Sequence, residues 1–290
     1  MRSKNPLLPY ILIAPLLLLM AIFIFYPLLL TVIDSLWSIN LAKPDDLRFA
    51  GLANYLTLIT DPAVQHAGLN SLRYFLISVA AEMLGGTLIA LTLWKHKIGR
   101  GIILAIVIIP WALPPVVNGI TWKWIYDPSF GLLNDLLMKL DLINHSQVWL
   151  GDPRYSLFWV ALVHIWKITP LISVVILSRL QTIPIELYEA ARIDGSGSWQ
   201  SFRHITLPML RPVLVIGLTL GTLSAFQLFD EVYVLTGTSL DTRSIMVQDY
   251  LIAFRELKFS LGMALSLLIS FVILGFSYLY SIWGKKVSSQ

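Results

Sequence analysis

The stretch Leu187-Tyr188-Glu189-Ala190-Ala191-Arg192-Ile193-Asp194-Gly195-Ser196, continued by Ile205-Thr206-Leu207-Pro208, decides how this chain is read. It is charged, rich in capping residues, and set between two long apolar segments. Pro184 stands near a helix start, where its missing N–H is no loss. Ile185, Tyr188 and Ala191 recur at helical spacing, as do Leu187 and Ala190. Gly195 supplies the left-handed stop found just past a helix end. Ser198 is expected to cap a second short helix running through Phe202 and His204. Pro208 and Pro212 are expected to close that helix before the next apolar segment. The Ala190-Ala191 pair lets another surface approach closely, and Glu189 offers it a charge.

Outward from this insert the chain is apolar. Of its 290 residues 57% are hydrophobic and only 13% charged, where a water-soluble domain carries about a quarter charged residues. Crossing a hydrocarbon core takes roughly 20 apolar residues. Six segments qualify, namely Pro9–Ile33, Leu69–Trp94, Ile102–Tyr126, Leu157–Leu177, Pro212–Leu235 and Leu261–Trp283. Backbone groups in lipid must be bonded within their own segment, so all six are expected to be helices. The expectation is an all-α polytopic membrane protein, one domain over residues 1–290, with 179–211 as a loop within it. Pro15, Pro27, Pro110, Pro114, Pro115 and Pro170 predict kinks.

Charge sets the orientation. With both termini inside, the inner side holds Arg2, Lys4, Lys95, Lys97, Arg100, Arg179, Arg192, Arg203, Arg211, Lys285 and Lys286 against only Glu186, Glu189 and Asp194. The outer loops collect Asp45, Asp46, Asp61, Asp127, Asp135, Asp141 and Asp152. This is the positive-inside pattern, so the basic balance reports topology and not nucleic-acid binding. Arg2 and Lys4 resemble the start of a signal peptide, but the apolar run after them is too long and lacks a small-residue cleavage site, so a retained helix is expected. Cysteine is absent, which excludes disulfides and thiol chemistry.

The outer segments are more than turns. Residues 34–66 contain Gly51-Leu52-Ala53-Asn54-Tyr55-Leu56, and 127–155 contain a helical run Leu132–Leu140 and Trp149-Leu150-Gly151-Asp152-Pro153. They read either as interfacial pieces anchored by Trp149 and Tyr155 or as a rim on which an external protein sits.

The Glu189-Ala190-Ala191 tripeptide, Asp194-Gly195 and Ile205-x-Leu207-Pro208 in register resemble the "EAA" loop of binding-protein-dependent ABC importer permeases. The resemblance extends to Ile109-Pro110-Trp111-Ala112-Leu113-Pro114, Asp127-Pro128-Ser129-Phe130-Gly131-Leu132-Leu133-Asn134, Trp149-Leu150-Gly151-Asp152-Pro153 and Phe229-Asp230-x-Val232-Tyr233-Val234-Leu235-Thr236-Gly237. Within the family it is most similar to the carbohydrate permeases of the maltose/glycerol-3-phosphate type. It departs after Gly237, where Thr238-Ser239-Leu240 stands in place of the common Gly-Gly-Pro, and a large inserted periplasmic domain is absent.

The resemblance implies a type I ABC importer permease fold in a bacterial or archaeal inner membrane. It implies a heterodimer with a second homologous permease, two copies of a cytoplasmic ATPase and an extracytoplasmic solute-binding protein. Glu189, Ala190, Ala191, Asp194 and Gly195 would couple to the ATPase. The chain has no Gly-x-x-x-x-Gly-Lys-Ser/Thr phosphate loop, so ATP and its Mg are expected on the ATPase, with no cofactor in this chain. A secondary transporter working without an ATPase is the alternative. A membrane enzyme would need a catalytic constellation, and the sequence has no metal cluster or nucleophile motif at membrane depth.

Polar groups inside apolar segments are expensive and mark function by default. Gln227, Asp230 and Glu231 stand at i, i+3 and i+4, spacing that puts them on one helical face, with Phe226 and Tyr233 beside them. Acids, an amide and rings suit a sugar, whose hydroxyls need acceptors and whose C–H faces stack on aromatics. Asn118, Trp122 and Trp124 follow the Pro114-Pro115 kink and are further candidates, although the tryptophans also fit an aromatic belt. Glu82 either bonds a neighbouring helix or lines a pathway. His164 and Lys167 are polar at membrane depth without an assigned partner.

Overall fold

The computed structural model describes residues 8–40, 47–96 and 98–285. Arg2, Lys4, Asp45, Asp46, Lys97 and Lys286, used above for orientation, lie outside them. In chain order the helices are α1 (Tyr10–Asp34), α2 (Ala53–Thr60), α3 (Pro62–Lys95), α4 (Arg100–Val107), α5 (Ile109–Ala112), α6 (Pro115–Ile125), α7 (Leu132–Lys139), α8 (Pro153–Leu180), α9 (Ile185–Ile193), α10 (Ser198–Phe226), α11 (Asp230–Thr236), α12 (Ile245–Tyr250) and α13 (Phe259–Lys285). Five of these, α1, α3, α8, α10 and α13, are long and apolar enough to cross a membrane. Strand is confined, among the described residues, to a hairpin of β1 (Trp37–Ser38) and β2 (Arg48–Phe49).

Two segment boundaries differ from the sequence expectation. The third apolar segment is three helices, α4 to α6, and not one. Leu113 is extended (φ −70°, ψ 135°), because a residue before proline is pushed out of the helical region. Pro114 and Pro115 then bring the chain back into α6. The fifth segment begins earlier and ends sooner than Pro212–Leu235. α10 passes through a π-helical turn at Phe202–Thr206, runs on past Pro208 and Pro212, and stops at Phe226. Pro208 and Pro212 therefore do not close a separate short helix. Arg179 Nε donates to the carbonyl of Met209 at 3.1 Å, tying the end of α8 to α10.

The chain forms two compact units, Met1–Asp61 with Asp249–Leu268, and Pro62–Gln248 with Ile269–Gln290. In the first, the Asn54 carboxamide donates to the carbonyls of Ser35 and Trp37 at 2.7 and 2.8 Å, fixing the chain between α1 and β1. Trp37 and Phe49 meet edge to face across the hairpin. Asp249 is buried, and its Oδ2 accepts from Ser266 Oγ at 2.6 Å.

The second unit is organised by α3, α8 and α10. Ala90 and Leu93 of α3, Ile168, Ile172, Ile176, Leu177 and Leu180 of α8, and Leu210 and Val213 of α10 make one buried cluster. The first two helices approach closely at Gly86, where an added Cβ would stand 2.8 Å from Ile172 Cγ2. In lipid, where apolar side chains gain nothing by leaving water, such small-residue contacts hold helices together by packing.

Candidate functional site

The loop between α8 and α10 is built on that cluster. Pro184 is extended (ψ 132°) and α9 starts directly after it. Ile183 and Tyr188 belong to the buried cluster. The Tyr188 ring packs on Trp94 of α3 at 5.3 Å between centroids, and its hydroxyl lies 2.9 Å from Thr206 Oγ1 on α10. One side of α9 is thus fixed to two membrane helices.

The rest of α9 is displayed. Glu189, Ala190, Asp194 and Gly195 are exposed and Ala191 is half-buried. Ile185, Leu187 and Ile193 are exposed too, Ile193 to 87%, and Trp199 on the following helix to 70%. The helix ends as expected at Gly195, whose φ is +78°. The Ser196 N–H donates to Ala191 O at 2.8 Å and the Gly195 N–H to Arg192 O at 3.1 Å, the paired bonds of a Schellman stop. Ser198 is not the cap of the next helix. Gly197 holds that place, its N–H donating to Gln200 Oε1 at 2.9 Å. The short helix α9 thus displays apolar residues and the Glu189 carboxylate together.

The second candidate region lies at membrane depth. Lys167 is thirteen residues from the C-terminal end of α8 at Leu180, about 20 Å along the axis. Its Nζ lies 3.1 Å from Glu231 Oε1 on α11, and both side chains are buried. Asn118 Nδ2 of α6 donates to the same oxygen at 3.5 Å. One turn earlier on α8, His164 Nε2 stands 3.6 Å from Glu82 Oε1 of α3. Gly221 of α10 leaves the room for that carboxylate, since a Cβ there would meet Glu82 Oε2 at 2.9 Å. Lys167 and Glu231 thus form a close buried pair, while His164 and Glu82 face each other just beyond hydrogen-bond distance.

The structure brings Asn118 and Glu231 together with Lys167, and sets Glu82 apart with His164. It does not put Gln227, Asp230 and Glu231 on one helical face. The helix ends at Phe226 and restarts at Asp230, so residues 227–229 are non-helical. Gln227 is exposed, Asp230 half-buried and Glu231 buried. The break is held by a tertiary contact, with buried Leu228 accepting from Ser244 Oγ at 2.5 Å through its carbonyl. Phe226 packs between Phe75 and Phe276 at 5.6 and 6.0 Å. Trp122 lies against Trp166 and Tyr126 at 5.5 and 5.2 Å, while Trp124 is exposed. The Lys167–Glu231 and His164–Glu82 pairs are what the sequence left unassigned. Each residue was visible as a polar group in an apolar stretch, but the partners are separated by 64 and 82 positions, and spacing carries no signal over that range. Among the described residues no cluster of His, Asp or Glu could hold a metal ion.

Residues 82–288 match the family described as binding-protein-dependent transport system inner membrane component. The chain is 35% identical to the trehalose/maltose transport system permease protein MalF of Thermococcus litoralis, over 97% of this chain and 94% of that protein. It is 34% identical to the trehalose transport system permease protein SugA of Mycobacterium tuberculosis, over 92% and 85%. It is 31% identical to the sulfoquinovosyl glycerol transport system permease protein SmoG of Agrobacterium fabrum, over 89% and 84%. Its fold is similar to a chain of a bacterial ABC transporter involved in the import of the acidic polysaccharide alginate, with a TM-score of 0.81 at 21% identity, covering 96% of this chain and 95% of that one.

Proposed function

The chain belongs to the binding-protein-dependent transport permeases, and from that membership we propose that it carries a sugar, delivered by an extracytoplasmic binding protein, across the cytoplasmic membrane with both of its own termini inside. It is a permease subunit of an ABC importer and not itself an enzyme. ATP hydrolysis is supplied by two copies of a partner ATPase, and a second homologous permease completes the pathway. The observation that carries the reading is α9, seated by Tyr188 and Thr206 on the membrane helices, with Glu189 and its apolar neighbours displayed. The α9 surface receives the movement of the ATPase, and the helices to which it is fixed pass it into the membrane.

The sugar assignment is supported by the named substrates of the relatives, trehalose, maltose and sulfoquinovosyl glycerol. Gln227, the half-buried Asp230 and the Trp122 ring supply hydroxyl partners and an aromatic surface of the kind sugars need. Asn118, Phe226, Trp124 and Glu82 are further contacts or supports of that site. The test is uptake of labelled trehalose and maltose by proteoliposomes holding both permeases, with ATPase and binding protein present or omitted one at a time. Uptake that needs every component supports the reading. Uptake that persists without the ATPase would make the chain a secondary transporter.

A further inference from the structure

We propose that Lys167 is a positioning residue for translocation: through its ion pair with Glu231 it fixes the break between α10 and α11, and with it the placement of Gln227 and Asp230. The proposal deepens the sugar-permease reading and rests on it.

The break is pinned from two sides. On one, the Leu228 carbonyl accepts from Ser244 Oγ at 2.5 Å. On the other, Glu231 is held by Lys167 of α8 at 3.1 Å and by Asn118 of α6 at 3.5 Å. Between these anchors stand the exposed Gln227 and the half-buried Asp230. The Gln227 and Leu228 N–H groups still donate back to the carbonyls of Leu223 and Ala225, at 3.1 and 3.4 Å, and the Phe229 carbonyl accepts from Tyr233 N–H at 2.9 Å; the anchors on Leu228 and Glu231 tie this turn to the neighbouring elements and so set where its side chains stand.

Stability alone does not explain the pair. Two well-packed apolar side chains hold neighbouring helices as well as a buried ion pair does, and often better. What the pair adds is a specific geometry, a compact ammonium opposed to one carboxylate oxygen, and a strong penalty for separating them. Lys167 also sits on the helix that ends at the inner loop. Leu180 and Ile183, at and just past the end of α8, pack with Tyr188 of α9, about 20 Å along the helix from Lys167. One continuous helix, α8, thus holds the loop at its end and the break at its midpoint.

The test uses the complete importer in proteoliposomes, with a sugar that the wild type takes up. Lys167→Met leaves a buried carboxylate unpaired, and ATP hydrolysed per sugar imported should rise at least about tenfold while hydrolysis stimulated by the loaded binding protein persists. Lys167→Arg should keep coupling near wild type. The double neutral variant Lys167→Met with Glu231→Gln removes the unpaired charge and keeps the contact to Asn118, so it should assemble and melt near wild type, but it has no ion pair to fix the break and its ratio should stay raised at least about tenfold. The proposal is overturned if Lys167→Met couples normally, if the double variant restores coupling, or if neither single nor double variant assembles in the membrane. Failure of the sugar-permease reading would show separately, as absence of ATP-dependent sugar uptake by the wild type.

Discussion

The hydroxyls of Tyr188 and Thr206 meet at 2.9 Å in a buried contact between the loop helix α9 and the N-terminal part of α10. With the Tyr188 ring on Trp94, it is what makes the displayed helix an extension of the membrane bundle. A loop tethered only by its ends would absorb an applied movement; one seated in the core transmits it.

Tyr188→Phe keeps the ring contact and removes the hydrogen bond, leaving Thr206 Oγ1 buried without that partner. The expected loss is about 1 kcal/mol of stability, with a modest fall in sugar imported per ATP. Tyr188→Ala removes the ring as well and should lose about 3 kcal/mol or more, with coupling largely gone. Thermal unfolding in detergent, together with the uptake-to-hydrolysis ratio, checks both; equal effects from the two variants would argue against the seat.

Gly195 ends α9 at φ +78°, and space around it is open, with nothing within 4 Å of an added Cβ. Any penalty is therefore backbone strain and not a clash. Gly195→Ala should weaken the turn by about 1–2 kcal/mol, Gly195→Asn by less, and Gly195→Val by more, since a β-branched residue tolerates this region worst. Binding of the purified complex to its ATPase, measured across the three variants, should follow that order.

Some of this was legible in the residues and some was not. The apolar stretches, the Glu189 loop and the Gly195 stop follow from local pattern and needed no tertiary information. The break at residues 227–229 did not, because it depends on Ser244 and Lys167, distant in the sequence, which fix Leu228 and Glu231. The end of the loop was misjudged for a local reason. Ser198 and Gly197 are adjacent capping residues, and the Gly197 N–H bond to Gln200 selects the glycine. Pro208 and Pro212 carry the pattern of terminators, yet α10 runs on through both, with a π-helical turn just before Pro208.

Asp249 gives a pH-dependent test in the first unit. Burial pushes its carboxyl up to about 6, against the pull of the Ser266 hydrogen bond. The folded chain then holds this proton more tightly than the unfolded chain, so the group lowers stability as pH rises from about 4 through about 6 and has no further effect above that. Asp249→Asn keeps an acceptor for Ser266 and removes the titration. It should melt with wild type near pH 4 and gain up to about 2 kcal/mol over it at pH 7.5. A variant that is less stable at pH 7.5 would show that the ionised form is satisfied.

Orientation is open to cysteine labelling, since the native chain has no cysteine. Single cysteines at the exposed positions Asp141 and Ser239 should react with an impermeant thiol reagent added outside intact cells, and one at exposed Ser198 should react only after the membrane is opened. The reverse pattern would invert the topology.

If a separate ATPase takes hold at α9, a site-specific cross-link from that helix will capture it. A photoreactive residue at Leu187, exposed on α9, would be activated in the assembled complex in membranes, with the same probe at Trp124, exposed on α6, as the control. The expected result is a covalent adduct between the Leu187 probe and the ATPase subunit, lost when Glu189→Lys is added and never formed from position 124. ATP-dependent uptake by a complex in which the Leu187 probe forms no adduct with the ATPase would contradict the account.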